Sequence, residues 1–450
     1  MKKIVLYSSN SKRRSADSGS KVYPSWGEQW DMAAARYPDY EITLVVQLNG
    51  RYFLDIEDGK LVTPPSRIKV VPMDMESKTD DFVKTIAELK PDMVIAMPGP
   101  VSGYDWNGIR DAVIADELRS LGFDVKCYSV ETALDCFDKW RTYCVLKEHG
   151  FKVAESLYIH HEMFVAEKFA ETSTGNVYKE YILTKIRSMP MPVVIKSTTG
   201  ASSIGIFIAK SFEEAKEYLE SDAFDGDAVV QQKLKGEEYG AEVHGSDGSY
   251  FVTPPFRIFN TAKAELNDPF GSTTIKYGPI TDEEHHPREF MAELKRMAEV
   301  MGFSGIMQID FFFVEGEWYV LEINSRWSGI TTLTTAARGK LPYEVYLDEV
   351  SGEAADNDIN RLSYACQFKM DSADPAVLEQ ISREESIKSI ISYEIMLPGR
   401  EKTYLIDTVI GGYSTLNDLL ESFRALQGKY PNAISAGLVS GLEGAIEGTN

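Results

Sequence analysis

Three side chains in the last third of this 450-residue chain have the types and spacing to hold a hard cation: Asp310, Glu322 and Asn324. They lie in GFSGIMQIDFFFVEGEWYVLEINSRWSG, Gly302 to Gly329, where apolar and polar residues alternate on either side of Glu315-Gly316-Glu317. That pattern predicts two strands joined by a tight turn. The second carboxylate comes twelve residues after the first and the amide two further on. On a returning strand they share one face, because side chains i and i+2 point the same way. Such oxygens suit Mg2+, which takes one or two carboxylates and completes its shell with phosphate and water oxygens; Mn2+ accepts the same donors. Solvated carboxylates at strand ends are the plain alternative for Glu322 taken alone.

A second stretch changes that balance. MPVVIKSTTGASSIGIFIA, Met191 to Ala209, predicts a strand ending at Lys196, a loop of small residues, and another strand. From Thr198 to Gly205 the loop carries little bulk, so backbone N–H groups can close over an anion while the hydroxyls of residues such as Ser202 and Ser203 add donors. The expectation is a phosphate lid. GxxxxGK[ST] is absent, and the lysine precedes the loop, so this is not a Walker loop.

Together the two stretches resemble the ATP-grasp superfamily, in the branch of carboxylate-amine ligases that includes L-amino-acid ligases and, more distantly, D-alanine-D-alanine ligase and biotin carboxylase. The resemblance spans roughly Asp138 to Gly339 and includes four motifs in the family's order. It implies two subdomains gripping ATP and an acyl-phosphate intermediate that an amine attacks. By the same resemblance Asp310, Glu322 and Asn324 take the metal-ligand positions, and Lys196 takes a lysine that contacts nucleotide phosphate. In DKWRTYCVLKEHGFKV, Lys139 takes the other phosphate lysine, just inside a helix ending near Gly150. In AVVQQKLKGEEYGAEV, Glu238 takes the ribose-binding acid, and Gln231, Gln232 and the backbone near Leu234 take the adenine hinge. Gln231 stands where the family usually has glutamate; its amide still offers an acceptor. The ending NSRWSG makes Arg326 a catalytic candidate, a guanidinium able to grip the transferring phosphoryl group bidentately, with a surface ion pair as the plain reading. Lys263 is a second candidate, from a loop within Pro254 to Pro279 that also carries Arg257 and Lys276; a solvated lysine is its plain reading.

The elements that must position these residues follow from the rest of the chain. Residues 1–125 alternate strands and helices in the rhythm of a parallel α/β sheet. Two stretches there would lie at strand ends, where such sheets collect ligands: SSNSKRRSADSGSKVYPSWGEQW, read as one unusually long loop, and MPGPVSGYDWNG with Tyr104, Asp105 and Trp106. No GxGxxG follows the first strand. The expected architecture is mixed α/β and α+β. An N-terminal α/β domain spans 1–125, a two-subdomain ATP-grasp core 126–345 with its lid at about 190–235, and a small α+β domain 346–450. For this last part, completion of the substrate pocket and a homodimer contact are both left open.

Composition narrows the partners. A hydrophobic share of 43% with 11% aromatic residues is that of a packed protein. A net charge of −22 leaves no basic excess for a nucleic-acid surface, and nothing approaches a membrane span. Cys127, Cys136, Cys144 and Cys366 lack metal or CxxC spacing, so free thiols in a reducing cytoplasm are expected. The function expected is an ATP-dependent ligase that joins a small carboxylate, an amino acid as first choice, to an amine with release of ADP and phosphate. A nucleotide-binding regulatory protein without turnover is the alternative.

Overall fold

The computed structural model describes residues 1–9, 21–47, 53–57, 60–99, 106–166, 174–199, 206–260, 274–351, 357–370, 374–395 and 403–447. Ser202, Ser203 and Lys263 lie outside the described residues, as do Tyr104 and Asp105. The fold is mixed α/β, with one parallel and two large antiparallel sheets.

The parallel sheet belongs to the N-terminal region. Its strands run Lys69–Met73, Tyr40–Gln47, Lys2–Ser8, Met93–Ala96 and Val125–Lys126 in spatial order. Ile4, Val5, Leu6 and Tyr7 are all buried, as a strand covered on both faces requires. The stretch read as one long loop instead contains the strand Lys21–Tyr23 and the helix Trp26–Ala35. A capping box starts that helix: Ser25 Oγ accepts from the Glu28 amide at 3.2 Å, and Glu28 Oε2 accepts from the Ser25 amide at 2.8 Å. Its Trp30 stacks on Tyr343 with centroids 3.9 Å apart, and Trp26 meets Trp327 edge-on at 6.2 Å. Trp327 also donates its backbone N–H to the Pro98 carbonyl at 3.1 Å. The N-terminal region is thereby fastened to the turn that carries Arg326.

A four-stranded antiparallel sheet, in the order Ile206–Ala209, Val193–Ser197, Ala228–Gln232, Ser156–Ile159, forms the smaller unit that bears Lys196. The ten-stranded sheet holds the acidic residues. Its strands Glu317–Asn324, Gly305–Val314 and Glu237–Ser246 are neighbours, and after Phe256–Asn260 and Thr274–Gly278 it continues without a break into the C-terminal strands Tyr364–Met370, Thr403–Tyr413 and Ile387–Ile395. Lys21–Tyr23 closes that far edge. All four cysteines are free, and no helix among the described residues is long and apolar enough to cross a membrane.

One buried carboxylate organises the ground beneath the turn. Glu242, fully buried, accepts from Ser328 Oγ at 2.8 Å, Thr331 Oγ1 at 2.6 Å, Thr334 Oγ1 at 2.5 Å and His244 Nε2 at 2.8 Å. Burial alone would raise its pKa, but the donors prevail and hold it below the ordinary value. His244 Nδ1 accepts from Arg338 at 3.3 Å, which fixes a neutral imidazole with its proton on Nε2, in line with its lowered pKa. Replacing the acid strands three hydroxyls and an imidazole N–H in the core. Glu242→Ala should therefore cost about 3 kcal/mol of stability, and Glu242→Gln, which keeps an acceptor, clearly less; urea unfolding midpoints of the two variants check the order.

Candidate active site

The acidic hairpin folds locally as its alternation dictates. Glu315 and Gly316, at φ 50° and 82°, make a two-residue turn, and the strands then pair in register with Asp310 opposite Glu322 and Gln308 opposite Asn324. A bulge follows Asp310. On the other side Asp310 pairs with Gly240, where a Cβ would stand 2.9 Å from Ile330 Cδ1 and 3.2 Å from Ile258 Cδ1, so glycine lets those side chains pack beside the acid. Gln308 Nε2 donates to Asp310 Oδ1 at 2.5 Å and Asn324 Nδ2 donates to Gln308 Oε1 at 2.7 Å. Arg326 Nη2 donates to Asn324 Oδ1 at 3.1 Å.

The two lysines arrive from separate elements. Asp138 caps the helix Lys139–Glu148 by accepting from the Trp140 and Arg141 amides at 2.8 and 2.9 Å, and Lys139 itself donates its backbone N–H to the Thr198 carbonyl at 2.9 Å. That bond ties the helix start to the end of the Lys196 strand. Lys139 Nζ lies 3.3 Å from Glu322 Oε1. Lys196 is buried and donates to Gln231 Oε1 at 3.1 Å, while Gln231 Nε2 donates to Ser156 Oγ at 3.0 Å. Burial lowers the Lys196 ammonium to about 8; Glu322 opposes that shift and Lys139 reinforces it.

The carboxylates press on one another. Burial, then Glu238 and Glu322, push Asp310 up to about 8 against the pull of Lys276 and the Gln308 hydrogen bond. Glu238 is raised as well, by burial first and then by Glu322, with Lys276 opposing. Such a cluster is short of positive charge. Among the described residues no group of three or more His, Cys, Asp or Glu is arranged to hold a metal ion unaided. Two carboxylates and an amide oxygen nevertheless fit Mg2+, provided phosphate oxygens complete the shell.

Two cavities meet at this point. One, of about 480 Å3 with the solvent at its mouth counted, is lined by Lys139, Thr199, Glu322, Asn324 and Arg326 and by residues of the helices Trp106–Ser120 and Val130–Phe137. The second, of about 350 Å3, is lined by the apolar Val229, Leu146, Val153 and Val320 together with Lys196 and Gln231, both buried. Lys139 and Glu322 line both. Of the hinge residues, Gln231 lines the second cavity, whereas Gln232 donates its backbone N–H to the Glu155 carbonyl at 3.0 Å and Leu234 lies half-buried on the connector beyond it.

Two residues at the site escaped the sequence reading of the metal trio. Gln308 stands two positions before Asp310 on the same face, so alternation was signal enough. Lys276 Nζ sits 3.3 Å from the Gly329 carbonyl, brought there by pairing between Phe256–Asn260 and Thr274–Gly278. Arg257, from the same segment, instead pairs with Glu237. Removing a nearby like charge favours a cation, so Lys276→Met should tighten Mn2+ binding by the nucleotide-free protein roughly tenfold, read by electron paramagnetic resonance of free Mn2+.

Comparison with known proteins places this geometry in context. The family profile described as ATP-grasp domain matches residues 136–330. The chain is 30% identical over 179 residues to carbamoyl-phosphate synthase from Methanobrevibacter smithii, covering 39% of this chain and 47% of that protein. It thus spans about half the length of that relative. It is 22% identical over 254 residues to D-alanine-D-alanine ligase from Francisella philomiragia, covering 56% of this chain and 75% of that protein. The fold resembles the crystal structure of L-amino acid ligase from Bacillus licheniformis with a TM-score of 0.61 at 16% identity, over 95% of this chain and 97% of that chain.

Proposed function

Residues 136–330 are an ATP-grasp domain, and from that premise we propose that the protein is an ATP-dependent ligase joining a small carboxylate, probed first as an amino acid, to an amine. The observation that carries this reading is the meeting of Lys139, Lys196 and Glu322 where the two cavities join. A cavity lined by Val229, Leu146, Val153 and Val320, with the Gln231 amide and the Lys196 ammonium in the same lining, suits a purine ring and its phosphates. Glu238 is the ribose-binding acid in this reading. The larger cavity then takes the acid and amine.

A carboxylate is a poor electrophile, because attack on it must expel oxide. In the proposed reaction a carboxylate oxygen attacks the γ-phosphorus, the bond to the β-bridging oxygen breaks, and ADP leaves. The amine then attacks the acyl carbon, phosphate departs, and the nitrogen loses a proton. Lys139 and Lys196 hold the phosphate oxygens and offset charge that builds on them, so their contribution is positioning and electrostatics. Arg326, beside the acid cavity, orients the acyl phosphate. Asp310, Glu322 and Asn324 would hold Mg2+, which when bound supplies charge neutralisation at the β- and γ-phosphates. Freed from Asn324, the Arg326 guanidinium can turn to substrate.

Incubation with Mg-ATP and panels of amino acids and amines should release ADP and phosphate, and hydroxylamine should trap the activated acid as a hydroxamate. AMP and pyrophosphate as products would replace the acyl phosphate by an adenylate. Tight ATP binding with no product on any pair would leave a regulatory binder.

A further inference from the structure

The lining of the larger cavity has two parts of different chemistry. Lys139, Glu322 and Arg326 supply its charges and Asn324 an amide. Ala133, Cys136 and Phe137 form a single stripe of the helix Val130–Phe137, because residues three and four apart share a face, and Ile109 of the neighbouring helix lines the same cavity. Among the described residues this second part carries no charged side chain.

Whatever sits there is desolvated by apolar groups. Burial pushes the Cys136 thiol up to about 12, so it stays a neutral SH with the Ser325 hydroxyl as neighbour. A charged group laid on the stripe would exchange its water for apolar neighbours and a neutral thiol, at a cost of several kcal/mol, whereas each buried methylene contributes about 0.8 kcal/mol. Size is bounded too. The cavity spans about 480 Å3 with the solvent at its mouth counted, and that space must also admit the reacting carboxyl and phosphoryl groups. The helix Trp106–Ser120 also comes close: a Cβ on Gly108 would stand 2.9 Å from Tyr128 Oη, and Tyr128 in turn donates to the Ser325 carbonyl at 2.9 Å.

Resting on the ligase reading, we infer that the carboxylate substrate carries a compact, uncharged, apolar side chain seated on this stripe, and that Cys136 sets its upper size. The acid is thus a small aliphatic amino acid or its analogue, not a dicarboxylate or a diamino acid.

The test is ADP release with Mg-ATP, hydroxylamine as the amine, and a graded series: glycine, alanine, valine, leucine, phenylalanine, aspartate and lysine. The aliphatic acids should exceed aspartate and lysine by about tenfold or more in kcat/KM. Cys136→Phe should lower kcat/KM for the largest accepted acid about tenfold while leaving the smallest within about threefold and KM for ATP unchanged. Ala133→Val, a milder bulge on the same stripe, should shift the preference the same way and serves if the phenylalanine variant unfolds. Preference for aspartate or lysine, or an equal loss on small and large acids, would overturn the inference. Should no acid stimulate ADP release, the ligase reading itself falls, which is a different result.

Discussion

Glu322→Gln should abolish ligation while the protein stays folded. Glu322 pairs across the hairpin with Asp310, meets Lys139 at 3.3 Å and lines both cavities, so it touches more of the proposed machinery than any other single side chain described. The amide keeps its size but not its charge. If it holds the cation that neutralises the phosphates, its loss removes several kcal/mol of stabilisation, and at 1.36 kcal/mol per tenfold the rate should fall by about 10³. The side chain is only half-buried, so the unfolding midpoint should move little. Single-turnover ADP release and urea unfolding, measured on the same preparation, test both halves. A wild-type rate would mean the cation sits elsewhere.

Lys196→Met should lower kcat/KM by about 10² or more, because in the proposed reaction its buried ammonium meets phosphate where water cannot screen it. The wild-type lysine also predicts a pH dependence. Its ammonium is lowered to about 8 by burial, so below that pH the charge that grips phosphate is already present. Above pH 8 the proton must be taken up on binding, and ATP affinity should fall, approaching tenfold per pH unit. Calorimetry in buffers of different ionisation enthalpy should then show proton uptake at pH 9 and almost none at pH 7. Lys196→Arg, charged throughout, should flatten the profile. An affinity flat from pH 7 to 9.5 in the wild type would mean that the lysine does not meet the phosphates.

The acidic hairpin was legible because everything it needs is local: period-2 alternation, a Glu-Gly pair able to take positive φ, and a cross-strand register fixed by the turn. Lys139 and Lys196 were singled out by the family resemblance, and the structure brings both beside Glu322. Lys276 was not, since its place depends on two successive strand pairings, Glu238 with Ile258 and Ile258 with Lys276, that no local pattern specifies. Lys263, the lysine of that segment favoured by the resemblance, lies outside the described residues. The helix Trp26–Ala35 was missed although Ser25 and Glu28 spell a capping box, because the polar run before it suggested one continuous loop. The helix Ala436–Glu447 was missed for another reason. Its glycines at 437, 441 and 444 weaken intrinsic propensity, and packing of Leu438, Leu442 and Ile446 into the C-terminal core compensates.

The union of the C-terminal strands with the acidic sheet bears on how the protein can be cut down. Tyr364–Met370 pairs directly with Thr274–Gly278, and the segment Lys21–Tyr23 crosses from the other end of the chain to close the far side. Trimming to the family-matched region would strip the Thr274–Gly278 strand of its partner and bare a row of amides and carbonyls beside Tyr277 and Ile275, both normally buried. An uncovered row of that kind recruits further copies of itself. A shortened chain for soaking or screening should therefore keep both termini, or it will leave solution as aggregate.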